Sequence, residues 1–159
     1  MMLLQRIVRD ELYSFADSFD DWEDAVYASC KRLIEKGYID DKYAHSIVNN
    51  VKEHGPYIVL IPGVAMPHST QNAEGIYKTG IAMMKVRNRV YFEGDDDKYA
   101  TLLFTLAAEN DEEHLENIQQ LMELLMDDKV LEVLQNINSE LELKQYLETL
   151  QEENDGISS

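Results

Sequence analysis

The segment Ile61-Pro-Gly-Val-Ala-Met-Pro-His-Ser-Thr70 is the part of the sequence from which we predict the fold. An apolar run at 57–61 precedes it and indicates a buried strand. Two prolines and a glycine then interrupt the strand, stiffen the backbone and permit a tight bend, so that His68 follows on a rigid turn. An imidazole held in this way suits chemistry that needs one ring nitrogen aimed outward. A turn with an incidental histidine explains the segment equally well at this point.

The length and composition are those of one globular domain. The chain has 159 residues, 45% of them hydrophobic, which is too apolar for a disordered protein. We expect a single domain over 1–159, with its core at about 10–150 and a polar, frayed tail at 152–159. No apolar run approaches the roughly 20 residues of a membrane span. The apolar residues 1–8 are interrupted by Gln5 and Arg6, and no signal-peptide cleavage site follows them.

Charge and cysteine content limit the partners and the cellular compartment that we expect. The net charge of −17, from 31 acidic and 14 basic residues, repels nucleic acid and favours a partner with a basic face. Solubility alone also accounts for an acidic surface, so the charge excludes DNA and RNA more firmly than it identifies a partner. The single Cys30 cannot form an internal disulfide, and a buried thiol in the reducing cytoplasm is expected.

The apolar periodicity changes from helical to strand-like and back along the chain. Helices are predicted over 1–19, from Asp20-Asp21 to Gly37, from Asp40 or Asp41 to Gly55, from His114 through Leu125, over 129–134 and over 140–150. Strands are predicted at 57–61, 79–86, 89–92 and 101–107, with loops at 72–78 and 94–98. Because no βαβ repeat is present, this order predicts an α/β fold in which helices flank both faces of a mixed β-sheet.

Two of the four histidines are candidates for chemistry. His45 and His54 lie on helix patterns where a structural or surface role is expected. His114 falls in the first turn of its helix and shares a face with Ile118 and Leu121, at a helix end whose amides favour anions. A histidine packed against the core is the alternative for His114.

The two candidate histidines meet if strands 57–61 and 101–107 are parallel neighbours. Both rings then emerge at one edge of the sheet, where ligands gather in α/β folds. Two imidazoles beside helix-terminal amides form a receptacle for a phosphoryl group: one nitrogen attacks phosphorus, and the second ring and the amides bind the phosphoryl oxygens. The other nitrogen of the attacking ring then needs an acceptor for its N–H, which the sequence does not identify.

The motif Gly-Val-Ala-Met-Pro-His at 63–68 resembles the active-site motif of the mannitol/fructose-type EIIA proteins of the bacterial sugar phosphotransferase system. The resemblance covers about 10–150. It includes Lys36-Gly37, the approach from Glu53 to Tyr57, the Leu-Leu-Phe-Thr-Leu-Ala-Ala run at 102–108 and a histidine after an acidic segment. The separation of 46 residues between the two histidines (114 − 68) also matches. The Gly-Pro-Tyr and Pro-Gly elements are most similar to the ascorbate-type branch.

This resemblance implies specific roles and partners. His68 is the phosphorylated nucleophile and His114 stabilises the phosphoryl group. Lys52 stands where some relatives carry arginine, sixteen residues before the nucleophile, and is a candidate supporting residue, although lysine lacks the bidentate fork of arginine. Phosphate arrives from the carrier HPr and passes to an EIIB partner, and through it to the EIIC membrane permease, in the cytoplasm and with no cofactor or metal. An acidic rim at 109–113 suits a basic carrier face. A homo-oligomer of this chain is also possible.

Three other classes of protein share some of these features. A regulatory EIIA-like module uses the same phosphohistidine as a signal, and the lack of an attached domain favours transport only mildly. A metal-dependent hydrolase or deaminase is suggested by His114-Leu-Glu116, but the zinc deaminase pattern needs a Pro-Cys-x-x-Cys element and this chain has one cysteine. A helical adaptor leaves the His68 turn unexplained.

Overall fold

The fold is described from a computed structural model that covers residues 2–69, 73–94 and 96–158, with side chains from 3 to 153 within those ranges. Thr70, at the end of the opening segment, lies outside the described residues. So do Asn72 and Asp95, in the two predicted loops, and Ser159, in the predicted tail.

The described part of the chain contains six helices and five strands. The helices are α1 (Met2–Arg9), α2 (Trp22–Glu35), α3 (Asp41–His54), α4 (Asp111–Leu125), α5 (Asp128–Asn136) and α6 (Glu140–Ser158). The strands are β1 (Tyr13–Ala16), β2 (Val59–Ile61), β3 (Gly63–Ala65), β4 (Gly80–Tyr91) and β5 (Tyr99–Ala107). They form one sheet in the order β1-β4-β5-β3-β2, parallel at β1–β4 and β3–β5 and antiparallel at β4–β5 and β2–β3.

Helices cover both faces of this mixed sheet, as predicted. Helices α2 and α3 pack on one face around Leu33 and Ile47, and α1 and α4–α6 pack on the other around Leu4 and Leu121. Alternate residues of β5 enter the two layers, and the strand is buried along almost its whole length. A strand covered on both faces reads as a continuous apolar run, which explains why the sequence located it.

Helices α2 and α3 follow the predicted start and stop signals. The Asp21 side chain accepts a hydrogen bond from the Asp24 amide at 2.9 Å and so caps α2. Asp40, and not Asp41, caps α3. Gly55 follows α3 with φ of +86°, a conformation that a residue with a Cβ rarely adopts, so the helix ends there.

The predicted N-terminal helix over 1–19 is wrong in its second half. Helix α1 ends at Arg9, Glu11 takes φ of +57°, and the amide of Leu12 donates to the carbonyl of Ile7 as the chain turns. Residues 13–16 then form β1, which pairs with β4. The partner strand lies about 70 residues away, so helical periodicity within the segment carried no sign of it.

Two strand predictions are also corrected. The predicted strands 79–86 and 89–92 are one strand, β4, whose register shifts between Lys85 and Val90 where three polar residues are exposed. The predicted strand 57–61 is reduced to β2 at the edge of the sheet. A turn at Gly63, with φ of +100°, then starts β3, which lies between β2 and β5. The parallel neighbour of β5 is therefore β3.

The C-terminal helices are longer than predicted. Helix α5 spans Asp128–Asn136, and α6 continues through the polar residues that we predicted to be frayed.

Cys30 is fully buried, and burial raises the pKa of its thiol to about 12. Within the described ranges, no helix is both long and apolar enough to cross a membrane.

Candidate active site

His68 lies at the sheet edge where β3 and β5 both end. The chain leaves β3 at Ala65, and the amide of Met66 donates to the carbonyl of Ile58 at 2.7 Å. The carbonyl of Pro67 accepts from the amide of Leu106 in β5 at 2.9 Å. The two residues before His68 are thus fastened to the sheet, which keeps the histidine at a fixed place.

The imidazole of His68 has a defined tautomer. Its Nδ1 lies 2.6 Å from the carbonyl oxygen of Met66. Because a carbonyl only accepts hydrogen bonds, Nδ1 carries the proton and Nε2 keeps its lone pair. Met66 is therefore the acceptor that the sequence did not identify, and Nε2 is the ring nitrogen whose lone pair is free to form a new bond.

Burial keeps this ring in its neutral form. Desolvation lowers the pKa of His68 from the ordinary value of 6.5, and the neighbouring His114 lowers it further, while the hydrogen bond to Met66 acts in the opposite direction. A lowered pKa means that the lone pair on Nε2 is available at neutral pH.

His114 reaches the same site from α4, which follows β5. Asn110 caps this helix by accepting from the amide of Glu113 at 2.9 Å, and the His114 amide donates to the carbonyl of Asn110 at 3.0 Å. The rings of His68 and His114 have centroids 5.7 Å apart, inclined at 39°. The structure therefore brings the two predicted residues together, through β3 and β5 and not through the strand predicted at 57–61.

A polar network that the sequence reasoning did not identify lies beneath His68. The hydroxyl of Ser69 accepts from the amide group of Asn50 at 2.8 Å and is hydrogen-bonded to the hydroxyl of Ser46. The amide of Ser69 donates to the hydroxyl of Tyr43 at 3.2 Å. Ser46 and Asn50 are one turn apart on α3, so their spacing beside the apolar face was a signal that such a network could form.

Tyr43 and Tyr57 complete the network around the histidine. The Tyr43 hydroxyl donates to the carbonyl of Leu106 at 2.6 Å, and burial raises its pKa. The Tyr57 hydroxyl donates to the carbonyl of His68 at 2.6 Å. Burial also raises the pKa of Tyr57, and a hydrogen bond with Asn50 opposes that rise. Both phenols are therefore protonated donors at neutral pH.

Lys52 and the two remaining histidines make their contacts away from His68 and His114. The ammonium group of Lys52 lies 2.6 Å from a carboxylate oxygen of Glu23, on an exposed surface of α2 and α3. His45 is hydrogen-bonded to Tyr27, and His54 is exposed near Glu53. The described side chains include no group of three histidine, cysteine or carboxylate residues that could hold a metal ion. This edge of the sheet therefore offers a neutral imidazole with one free nitrogen lone pair and a second imidazole beside it.

The sequence of this chain matches a family model over residues 6–149, which include both histidines and the network beneath them. The model describes the phosphoenolpyruvate-dependent sugar phosphotransferase system, EIIA 2. The chain belongs to this family. It is an EIIA component, a phosphocarrier of sugar uptake.

Relatives of two specificities are similar to this EIIA chain. The mannitol-specific cryptic phosphotransferase enzyme IIA component of Escherichia coli strain K12 is 38% identical over 130 residues, which are 82% of this chain and 87% of that protein. The ascorbate-specific PTS system EIIA component of Shigella boydii serotype 4 is 33% identical over 125 residues, or 78% and 80% of the two chains. The mannitol-type relative is thus the more identical of these two.

A solved complex extends the comparison to a partner. The complex of enzyme IIA mannitol and phosphorylated enzyme IIB mannitol from Escherichia coli matches with a TM-score of 0.74 and 26% identity, over 87% of this chain and 95% of that chain. The mannitol-type EIIA fold is confirmed by this match. A mannitol-type EIIA protein therefore forms a complex with an EIIB protein.

Proposed function

We propose that this EIIA chain accepts a phosphoryl group from HPr on Nε2 of His68 and passes it to an EIIB partner. The observation that carries the proposal is the hydrogen bond between Nδ1 of His68 and the carbonyl of Met66, which leaves Nε2 as a nucleophile beside the ring of His114. The EIIB protein in turn serves the EIIC membrane permease, and the reaction takes place in the cytoplasm.

The transfer step needs few groups. The lone pair on Nε2 attacks phosphorus, the bond between phosphorus and the donor atom of HPr breaks, and the electron pair of that bond returns to HPr. The proton stays on Nδ1 throughout, hydrogen-bonded to the Met66 carbonyl. In the onward step the Nε2–phosphorus bond breaks when the nucleophile of EIIB attacks, and Nε2 recovers its lone pair.

His114 is the second residue of the proposal. Its ring centroid lies 5.7 Å from that of His68, close enough for a phosphoryl group on Nε2 to contact the second ring. A hydrogen bond from His114 to a phosphoryl oxygen stabilises the charge that builds up during transfer. Lys52 is given no direct role in this proposal, since its ammonium group is paired with Glu23 on the exposed surface of α2 and α3.

The described residues that hydrogen-bond to His68 or pack against its ring are Met66, Tyr57 and His114, and none of them is lysine or arginine, which suits a carrier. Many positive charges would hold the phosphoryl group strongly and so hinder its transfer onward. The exposed Asp111 and Glu112, in the first turn of α4 just before His114, complement a basic surface on HPr.

Phosphorylation of purified proteins tests these assignments. With phosphoenolpyruvate and the general carriers, His68→Ala should take no phosphate, whereas His114→Ala should take it more slowly, by about 10²-fold if one transition-state donor is lost. Acid-labile phosphate on His68→Ala, or wild-type rates in both directions for His114→Ala, would contradict the respective role.

The same assay identifies the onward partner. EIIB proteins of the mannitol and ascorbate types are offered to the phosphorylated chain, because relatives of both types are similar to it. Transfer to one of them supports a role in uptake of that class of sugar. Failure to phosphorylate either, with His68 phosphorylated normally, would favour a regulatory module.

A further inference from the structure

Tyr57 touches the histidine of the site in two ways. Its hydroxyl donates to the main-chain carbonyl of His68 at 2.6 Å, and its ring meets the imidazole edge to face, with centroids 5.3 Å apart and planes at 88°. The residue lies at the rim of the site, with 38% of its surface exposed. It is close to the imidazole but does not contribute a group to the hydrogen bond on Nδ1.

The neighbours of His68 are held by other parts of the protein. Met66 is bonded to Ile58, Pro67 to Leu106, and Ser69 to Tyr43 and Asn50. Among the hydrogen bonds of the described residues, the one that reaches the main chain of His68 itself comes from Tyr57. The orientation of the His68 carbonyl fixes the backbone from which its side chain projects.

The hydrogen bond on Nδ1 depends on that orientation. It spans only two residues, from His68 back to Met66, so a modest rotation of the His68 backbone or ring would break it. A ring freed from the Met66 carbonyl can place its proton on either nitrogen. The choice of nucleophilic atom is therefore sensitive to contacts that stop the ring from rotating.

We propose that Tyr57 is a positioning residue for phosphotransfer, which holds the His68 backbone and ring so that Nδ1 keeps its proton and Nε2 remains the accepting atom. This inference rests on the proposed function of His68 and deepens it. Tyr57 itself need not touch the phosphoryl group.

The structure supplies a matched control. Tyr27 and His45 form a similar pair on the surface of α2 and α3, with the hydroxyl 2.7 Å from Nδ1 of His45 and ring centroids 5.2 Å apart. The substitutions Tyr57→Phe and Tyr27→Phe each remove a hydroxyl that is hydrogen-bonded to a histidine, and Tyr57→Phe also removes the hydrogen bond with Asn50. Only the first should affect His68.

The test measures the ring and the reaction separately. Nitrogen-15 NMR of the unphosphorylated protein reports the tautomer of His68, and the rate of phosphate acceptance from HPr reports function. We expect Tyr57→Phe to raise the fraction of His68 with the proton on Nε2 and to slow acceptance by about three- to tenfold, the range for one lost hydrogen bond. Tyr27→Phe should change neither quantity. Tyr57→Leu also removes the ring contact, so it should change both the tautomer fraction and the rate of phosphate acceptance more than Tyr57→Phe does.

The outcomes separate this inference from the proposed function. Wild-type tautomer populations in Tyr57→Phe and Tyr57→Leu would overturn the positioning role, whatever the rates. A slower reaction with an unchanged tautomer would also count against it. If His68→Ala still accepts phosphate, the proposed nucleophile fails, but the NMR measurement still decides whether Tyr57 orients the ring. Thermal unfolding of each variant shows that the fold is retained.

Discussion

His68 combines a buried ring with a fixed proton, and these two features act together at the scale of the residue. Burial is the larger cause of its lowered pKa, and His114 adds to the effect. The hydrogen bond to Met66 raises the pKa but also decides which nitrogen is free. The residue is thus kept neutral and kept in one tautomer, and the attack on phosphorus that we propose for it requires both.

We predict that His68 titrates below its ordinary pKa of 6.5 in the folded protein. Phosphate acceptance should persist as the pH falls through 6.5 and decline only at lower pH, as Nε2 takes up a proton. His114→Ala should raise the pKa of His68 but leave it below 6.5, since burial is the larger cause. An NMR titration of each protein measures these values, and a wild-type pKa at or above 6.5 would contradict the prediction.

The same shift links folding to pH. Because the folded-state pKa lies below the unfolded one, the unfolded chain binds more protons between the two values. The contribution of His68 to stability is therefore complete above about pH 6.5 and is lost as the pH falls through the folded-state pKa. The urea-unfolded chain provides the reference pKa for this comparison.

At the scale of the element, the N-terminus of α4 places one of the two rings. Its cap, Asn110, holds the first turn, and Glu113 in that turn accepts a hydrogen bond from the Thr79 hydroxyl next to β4. The side chain of Asn117, one turn after His114, donates to the carbonyl of Ala107 at the end of β5 at 3.0 Å. The start of the helix is thus fastened at the same edge of the sheet that carries His68.

We predict that Asn110→Ala lowers the free energy of unfolding by about 1 kcal/mol and also slows phosphotransfer, because the cap and the position of His114 are lost together. Asp127→Ala is the control, since Asp127 caps α5 in the same way by accepting from the Val130 amide at 3.2 Å. It should cost similar stability without changing the transfer rate. Equal effects of the two variants on the rate would show that the α4 cap has no local role in the site.

At the scale of the whole molecule, the negative charge is distributed unevenly. The part of the chain that forms α4–α6 contains no arginine, and its lysines are Lys129 and Lys144. The net charge of −17 destabilises the compact state, because the negative charges repel one another. The ion pairs in the structure lie on the exposed surface, where each contributes little to the stability of the fold.

We predict that salt stabilises this protein. Raising sodium chloride from about 0.02 M to about 0.3 M shortens the screening length several-fold, and the melting temperature should rise by about 2–4 °C, equivalent to about 1 kcal/mol for a domain of this size. Replacing the exposed Glu152 and Glu153 by glutamine should make the rise smaller. If the surface ion pairs dominated instead, the melting temperature would fall with added salt.

The sequence by itself determined what depends on neighbouring residues. The caps and glycines of α2 and α3, the buried run of β5, the turn before His68 and the helix start before His114 all act within a few residues along the chain. Together with the resemblance of the motif at 63–68, they were sufficient for the mixed sheet, the family and the histidine pair.

The tertiary structure alone decided what depends on pairing between distant segments. Residues 13–16 form a strand because β4 lies beside them, and β3 lies between β2 and β5. The tertiary structure also brought the Met66 carbonyl and the Tyr57 hydroxyl within hydrogen-bond distance of His68. Periodicity and capping report the local preference of the backbone, whereas a hydrogen bond to one particular atom exists only once the whole chain has folded.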